Sequence, residues 1–360
     1  MVFSSAIFVF CFLPILFLFY FLLPKKCKNV VLLIFSLIFY AFGGVNYLFT
    51  MLLTVFVSYL GGILLQKSKN KKLVLFFTVG INLLFLIYFK YTGFILTNIN
   101  NLFSASISIP DIIMPIGISF YTFQSLCYVI DVYRGEVSVQ KNYFLLLLYV
   151  SLFPQLVAGP IVRYKTIENE IKKRSTTVDD FCYGIERFIL GLAKKVIIAN
   201  QMGKLADIVF SGESFTTPVV WIGAIAYMMQ IYFDFSAYSD MAIGIGRIFG
   251  FKFLENFNFP YIAKSITDFW RRWHISLSTF FRDYIYIPLG GNKCSKMRQI
   301  FNMSVVWLLT GLWHGASWNF VLWGIYYLVI LILEKFVFKN VLEKIPNFLR
   351  TNFSSIRKAK

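Results

Sequence analysis

Residues 1–24 carry no charged side chain, and neither do residues 29–66. About 20 apolar residues are enough to cross the hydrocarbon of a bilayer as a helix. Every backbone N–H and C=O in hydrocarbon must be bonded within the protein, so such runs become helices, or closed barrels where apolar and polar residues alternate strictly. These runs do not alternate. The second is about twice the required length and contains Gly43-Gly44-Val45-Asn46, where glycine and asparagine accept positive φ, so it reads as two spans joined by a turn. The first three spans are therefore expected at about 3–23, 29–43 and 46–66.

Composition extends this reading to the whole chain. Of 360 residues, 58% are hydrophobic and 14% charged, against roughly 25% charged in soluble domains. The net charge of +18 would admit nucleic acid as a partner, but the basic residues gather in short stretches such as 25–28 and 67–72. That is the pattern of cytoplasmic loops. It places both stretches on one face and the N-terminus on the other, with the remaining positive charge set against anionic membrane lipids and no role for nucleic acid. The first run has no basic residues before it and is followed by Lys25-Lys26, so it is expected to be a retained span. Cys11, Cys27, Cys127, Cys182 and Cys294 form no C-x-x-C pair and suggest neither a disulfide framework nor a metal site.

Further along, 73–98 reads as a fourth span containing Lys90, and 98–108 as an exposed polar loop. Pro115 and Gly117 start a helix whose small and hydroxyl residues suit a bundle interior. A span at about 142–157 breaks at Ala158-Gly159-Pro160, as re-entrant helices do where protein or a wet cavity surrounds them. Residues 180–204 are amphipathic and are expected at the interface. Spans resume at about 217–237, 300–313 and 317–336. Between them, residues 238–300 are too apolar for a soluble loop and too charged for lipid, which predicts helices buried in protein or lining a wet cavity. The domain plan is one transmembrane domain over 1–338, with about 9–11 membrane segments, and a basic tail over 339–360. The fold class is all-α and polytopic.

Two histidines occur in the chain, His274 and His314, each beside a tryptophan. Histidine suits proton transfer near neutral pH, and burial favours its neutral, proton-accepting form. Around His314, Gly311 and Gly315 lie one helical turn apart, so another backbone or a ligand can approach that face, and Ser317 at i+3 is placed to orient the ring. A helix-packing Gly-x-x-x-Gly seam explains the same spacing. Around His274, Asp268 and Arg272 are spaced to pair, Trp270 and His274 share a helical face, and the arginines suit a phosphate or pyrophosphate. A structural polar network with interfacial aromatics is the competing reading. Asp234 and Asp240, six residues apart, make a poor metal pair, and Gly244, Gly246 and Gly250 read as close helix packing. No serine is paired with either histidine by the sequence, so no triad is assigned.

In order along the chain stand Ser119-Phe120-Tyr121-Thr122-Phe123-Gln124, Phe153-Pro154-Gln155-Leu156-Val157-Ala158-Gly159-Pro160-Ile161 and Tyr232-Phe233-Asp234-Phe235-Ser236-Ala237-Tyr238-Ser239-Asp240. They are followed by Asn258-Phe259-Pro260-Tyr261, Phe269-Trp270-Arg271-Arg272-Trp273-His274-Ile275-Ser276-Leu277-Ser278, Arg282-Asp283-Tyr284-Ile285-Tyr286-Ile287-Pro288-Leu289-Gly290-Gly291-Asn292 and Gly311-Leu312-Trp313-His314-Gly315-Ala316-Ser317-Trp318. Together these segments resemble the membrane-bound O-acyltransferase (MBOAT) superfamily, in its bacterial branch of alginate and peptidoglycan O-acetyltransferases.

The resemblance implies a ring of transmembrane helices around a central tunnel, with broken or re-entrant helices. It implies His314 as the catalytic histidine and His274 as the second family histidine near the reaction chamber. Trp313, Trp318, Asn319, Asp268, Trp270, Arg271, Arg272, Arg282 and Asp283 are the expected substrate-binding residues. Trp or Asn donors are expected at the oxyanion. Acetyl-CoA is the implied donor, with no bound cofactor, and a glycan of the cell envelope is the acceptor, reached through an extracytoplasmic partner acyltransferase of esterase type. The location implied is the bacterial inner membrane. Members of this branch commonly continue with further spans beyond the Trp-His-Gly helix, whereas this sequence ends at Lys360, so a short variant, a truncation or an inactive form is expected. The alternatives are D-alanyl transfer to teichoic acid from a carrier protein and, from another class, a transporter or a non-catalytic scaffold.

Overall fold

A computed structural model describes residues 1–156, 159–212 and 215–338. The expected basic tail over 339–360 lies outside the described residues. Among the described residues the structure is helical, without strands. Two compact units divide the chain, 1–256 and 257–360.

The first unit opens with α1 (Phe8–Leu22), α2 (Lys28–Ala41), α3 (Asn46–Lys67) and α4 (Lys71–Phe103). These boundaries follow the apolar runs closely. Helix α4, however, continues into the stretch expected as a loop. It stops where Ser104 turns left-handed at φ 50°, and Asn100 then ties the chain back by donating to the Ile107 carbonyl (2.8 Å) and accepting from its N–H (3.0 Å). The asparagines that read as loop residues thus serve the end of the helix.

Helix α5 (Ile118–Arg134) starts after Gly117, whose φ of +74° places it in the left-handed region. A Cβ there would lie 2.8 Å from the Leu156 carbonyl, so glycine is required twice over. Most of α5 is buried, as expected of a bundle-facing helix. The next apolar run breaks earlier than expected: α6 (Tyr143–Ser151) ends at Leu152 with ψ 110°, and the short α7 (Phe153–Leu156) carries Pro154. Helix α8 (Tyr164–Lys172) follows.

Helices α9 (Val178–Ala193) and α10 (Asn200–Phe210) are joined through a π segment, Lys194–Ala199, into one continuous helix. It packs antiparallel along α11 (Thr217–Ile248), and Gly184, Gly191, Gly203, Gly223 and Gly244 mark the seam. A Cβ on Gly184 would stand 2.6 Å from the Gly244 carbonyl, which confirms close helix packing at that glycine stretch. The charges cross the seam: Lys195 meets Asp234 at 2.7 Å, Lys194 meets Asp240 at 2.6 Å, Arg187 meets Asp240 at 2.9 Å, and Arg247 meets Asp180 at 2.7 Å. A π turn brings successive residues onto nearby faces, and it is here that adjacent lysines reach carboxylates six positions apart. Helix α11 also runs past the expected end of its span, so Asp240 and Arg247 belong to the same helix.

The second unit contains α12 (Ile266–Arg272), α13 (Ile275–Phe281), α14 (Lys296–His314) and α15 (Trp318–Leu333), the last extended by a π segment, Glu334–Phe338. Helices α14 and α15 form an antiparallel hairpin. Its seam is the glycine face: a Cβ on Gly311 would lie 2.5 Å from the Phe320 carbonyl, one on Gly324 2.5 Å from the Trp307 carbonyl, and one on Gly315 would overlap the Phe320 ring. The close approach anticipated at these glycines is made by α15.

Among the described residues four helices are long and apolar enough to cross a membrane: Asn46–Lys67, Lys71–Phe103, Thr217–Ile248 and Trp318–Phe338. Fewer of the described helices reach that length than the apolar runs suggested, because α1 stops short at Phe8–Leu22, α2 is 14 residues long and the run after residue 142 is split at Leu152.

Candidate active site

Both histidines line one cavity of about 260 Å³ within the second unit, together with Trp270, Arg271, Trp273, Ser278, Arg282, Tyr286, Trp307, Thr310 and several aliphatic side chains. Two chain reversals bring them there. His274 follows α12 and caps α13 with φ 45°, a left-handed backbone uncommon outside glycine. The chain turn, and not a shared helical face with Trp270, therefore delivers this ring to the cavity. His314 is the last residue of α14, and Gly315 is extended at φ −173°. The helical i,i+3 relation expected to set Ser317 over the His314 ring consequently does not exist, and Ser317 instead precedes α15.

His274 is 3% exposed. Its surroundings leave little to solvate an imidazolium, and burial pushes its pKa down to about 3, with the nearby His314 adding a smaller effect in the same direction. It lies outside the long apolar helices. The hydroxyl of Ser276 is 3.5 Å from its Nδ1. Trp313 stands edge-on to both rings.

His314 sits at the edge of an aromatic cluster. Trp323 meets it edge-on at 4.6 Å, and Phe320 is parallel to it at 6.1 Å. Trp270 in turn contacts Trp307 (5.0 Å), Trp323 (5.7 Å) and Tyr327 (4.9 Å). Its indole Nε1–H is buried with no hydrogen-bond partner among the described residues, an available donor in the cavity wall. Trp307, Trp323 and Tyr327 were not singled out in the sequence. Their signal was helical spacing: Trp307 is seven residues before His314, while Trp323 and Tyr327 are i,i+4 on α15.

The charged residues separate into two groups. Asp268 pairs with Arg272 at 2.9 Å, as its i,i+4 spacing predicted, and this guanidinium holds the Asp268 carboxyl below the usual carboxylate range. Arg282 pairs with Asp283 at 2.6 Å. Glu334 accepts from the N–H groups of Ile266 and Thr267. With all three carboxylates of residues 257–338 so engaged, Arg271 remains a guanidinium on the cavity wall with no ion-pair partner among the described residues. Of the residues expected to bind substrate, Trp270, Arg271 and Arg282 line the cavity; Asp283 pairs with Arg282 and Trp313 contacts both histidines, whereas Asp268 and Arg272 pair with each other outside the lining. Trp318 and Asn319 open α15 and are exposed outside the lining. Among the described residues no cluster of His, Cys, Asp and Glu has the arrangement of a metal site.

The fold and the cavity describe a helical membrane protein with two histidines in an aromatic-walled chamber, groups suited to proton transfer. The profile of the MBOAT, membrane-bound O-acyltransferase family, matches residues 136–353. A probable alginate O-acetylase AlgI of Pseudomonas aeruginosa is 43% identical over 358 residues, covering 97% of this chain and 69% of the relative. A peptidoglycan O-acetyltransferase of Helicobacter pylori is 37% identical over 371 residues, covering 93% and 70%. A teichoic acid D-alanyltransferase of Bacillus subtilis is 32% identical over 235 residues, covering 61% and 59%. The chain belongs to the membrane-bound O-acyltransferase family and is an O-acyltransferase of the membrane.

Proposed function

We propose that the protein transfers acetyl groups from acetyl-CoA to hydroxyls of a cell-envelope polysaccharide or of peptidoglycan, as a multi-pass protein of the bacterial inner membrane. The observation that carries this reading is the placement of both histidines on one cavity with the guanidinium of Arg271, which has no ion-pair partner among the described residues. Similarity to alginate and peptidoglycan O-acetyltransferases at 37–43% identity supports the acetyl branch over D-alanyl transfer, for which the similar relative matches at lower identity over a smaller share of the chain.

In this reading an imidazole nitrogen of His314 takes the proton from an acceptor hydroxyl while its oxygen attacks the thioester carbonyl. The C–S bond then breaks, and the departing thiolate receives that proton from the imidazolium. General base catalysis of this kind contributes about 10² to 10⁴ in rate. Trp270 Nε1–H is a candidate donor to the oxyanion, and Arg271 a candidate anchor for a donor phosphate, since a guanidinium offers paired donors to phosphate oxygens. His274, held neutral, orients the chamber with Trp313. Transfer through the serine of an extracytoplasmic partner acyltransferase would use the same base.

The test is His314→Ala in a strain lacking the wild-type gene, with the acetyl content of envelope glycans read by mass spectrometry. Acetylation is expected to disappear at normal protein level. Undiminished acetylation would remove His314 from the mechanism and with it this reading.

A further inference from the structure

We propose that Glu334 is a positioning residue for acyl transfer: from the end of α15 it fixes the start of α12, and through α12 the placement of Trp270 and Arg271 relative to His314. The proposal rests on the reading of the cavity as the acyl-transfer site.

Helix α12 is seven residues long and follows an irregular segment, so it has little capacity to hold itself. A helix start exposes N–H groups that have no partner within the helix. Here each one of the first turn is accounted for. The Glu334 carboxylate accepts from Ile266 N–H at 2.7 Å and from Thr267 N–H at 3.1 and 3.2 Å. Ser265 Oγ accepts from Asp268 N–H at 3.1 Å, and the Ser265 carbonyl from Phe269 N–H at 2.9 Å. Two of these donors are thus satisfied from a residue 67 or 68 positions away.

The same two elements touch again at the site, where Trp270 of α12 packs on Trp323 and Tyr327 of α15, and Trp323 packs on His314. Two attachments fix both the position and the rotation of α12, whereas the aromatic contacts alone would allow it to pivot. Thr267, Trp270 and Arg271 all line the cavity, so a pivot would displace its wall. A displacement of the order of 1 Å at a reacting centre lowers rates by about 10²-fold.

The local backbone suits the role. Glu334 opens a π segment, a geometry that recurs at functional positions. The next residue, Lys335, faces a second wall: its Nζ donates to Asn292 Oδ1 at 2.6 Å, and Tyr286, which lines the cavity, donates to the same oxygen at 2.7 Å. Consecutive residues of one π turn therefore hold two sides of one cavity.

The experiment compares Glu334→Ala and Glu334→Gln in the purified full chain, reading release of free thiol from acetyl-CoA with a peptidoglycan or alginate fragment as acceptor. Tm and near-UV circular dichroism of the tryptophans are recorded alongside. Glu334→Ala is expected to lower kcat at least tenfold at a Tm within a few degrees of wild type, with an altered tryptophan signal. Glutamine retains an oxygen that can accept from both N–H groups, so Glu334→Gln is expected to recover most of the turnover and the wild-type signal. Wild-type turnover in Glu334→Ala overturns the proposal. A folded Glu334→Gln as inactive as the alanine variant also overturns it, and so does failure of both variants to fold, which would make Glu334 a general structural contact. His314→Ala separates the two readings: activity retained there defeats the site assignment, whereas loss there with full activity in Glu334→Ala defeats this proposal alone.

Discussion

His274 and His314 share one indole, with the Trp313 ring centroid 5.4 Å from the first imidazole and 4.8 Å from the second, edge-on to each. The two rings nevertheless have different surroundings, since His274 is buried and His314 is exposed on one side. With its pKa pushed down to about 3, His274 stays neutral across the working range. A protein labelled at histidine should therefore show one imidazole with no titration between about pH 5 and pH 8. The sign for stability follows from proton uptake. Below about 6.5 the unfolded chain binds a proton that the folded chain refuses until about pH 3, so this residue leaves stability unaffected above 6.5 and lowers it as pH falls through that window. The slope is at most about 1.4 kcal/mol per pH unit. His274→Gln should flatten the acid side of a Tm profile, and an unchanged profile would show that the ring is hydrated.

The glycine seam of the α14–α15 hairpin gives a second prediction. Gly311→Ala and Gly324→Ala each place a methyl group about 2.5 Å from a carbonyl oxygen of the facing helix, so the hairpin must open. Overpacking of this kind destabilises by about 1–3 kcal/mol. Gly80→Ala on α4 has no atom within 4 Å of the new methyl group and removes a flexible residue from a helix interior, so it should be neutral or stabilising by about 0.5–1 kcal/mol. Thermal unfolding in detergent compares the three, and equal Tm values would mean that the seam is looser than described.

The sequence made the helices legible where an apolar run coincides with a single helix, as at α3, or where Pro115 and Gly117 mark a start, as at α5, and it placed Asp268 against Arg272 by spacing alone. It was misleading where a polar residue has a use that periodicity does not encode. Asn100 reads as loop but ties down a helix end, and Lys194 and Lys195, legible in the sequence only as part of an amphipathic stretch, pair across a seam with Asp240 and Asp234. His274 and Trp270 do reach one cavity, through a left-handed turn that no helical wheel contains. The aromatic walls from Trp307, Trp323 and Tyr327, and the clamp from Glu334, were hidden because their partners lie tens of residues away in the chain.

The ion pairs between α9, its π extension and α11 should differ sharply from those at the surface. Asp240 receives both Arg187 and Lys194, and its side chain is only 16% exposed. Asp240→Asn leaves Lys194 facing a neutral amide while Arg187 keeps Glu255, which should destabilise by about 2 kcal/mol, below the 3–5 typical of a fully buried pair because some water reaches the site. Asp283→Asn disrupts a pair whose arginine is 60% exposed, and should change stability by less than about 1 kcal/mol. Chemical denaturation in 0.05 and 0.5 M salt tests both: the Asp240 effect should persist at high salt, and its disappearance there would place the network in bulk solvent.

Adjacent arginines supply the last prediction, because they differ in engagement though not in type. Arg272 is committed to Asp268 and to the Asn258 carbonyl, while Arg271 lines the cavity with its guanidinium unpaired among the described residues. A charge-assisted hydrogen bond to a substrate phosphate is worth about 1.5–3 kcal/mol, which corresponds to roughly 10- to 100-fold in affinity. Arg271→Gln should therefore raise the KM for acetyl-CoA by that factor and leave kcat less affected, since the phosphate is remote from the bond that breaks. Arg272→Gln should leave KM within about threefold of wild type and act through the local helix, where a part-exposed pair contributes less than about 1 kcal/mol. A donor lacking the nucleotide portion, such as an acetylated pantetheine, sharpens the comparison: wild type and Arg271→Gln should use it equally poorly. If Arg272→Gln instead gave the larger rise in KM for the full donor, the phosphate contact would belong to the residue now engaged with Asp268, and the guanidinium of Arg271 would need another ligand.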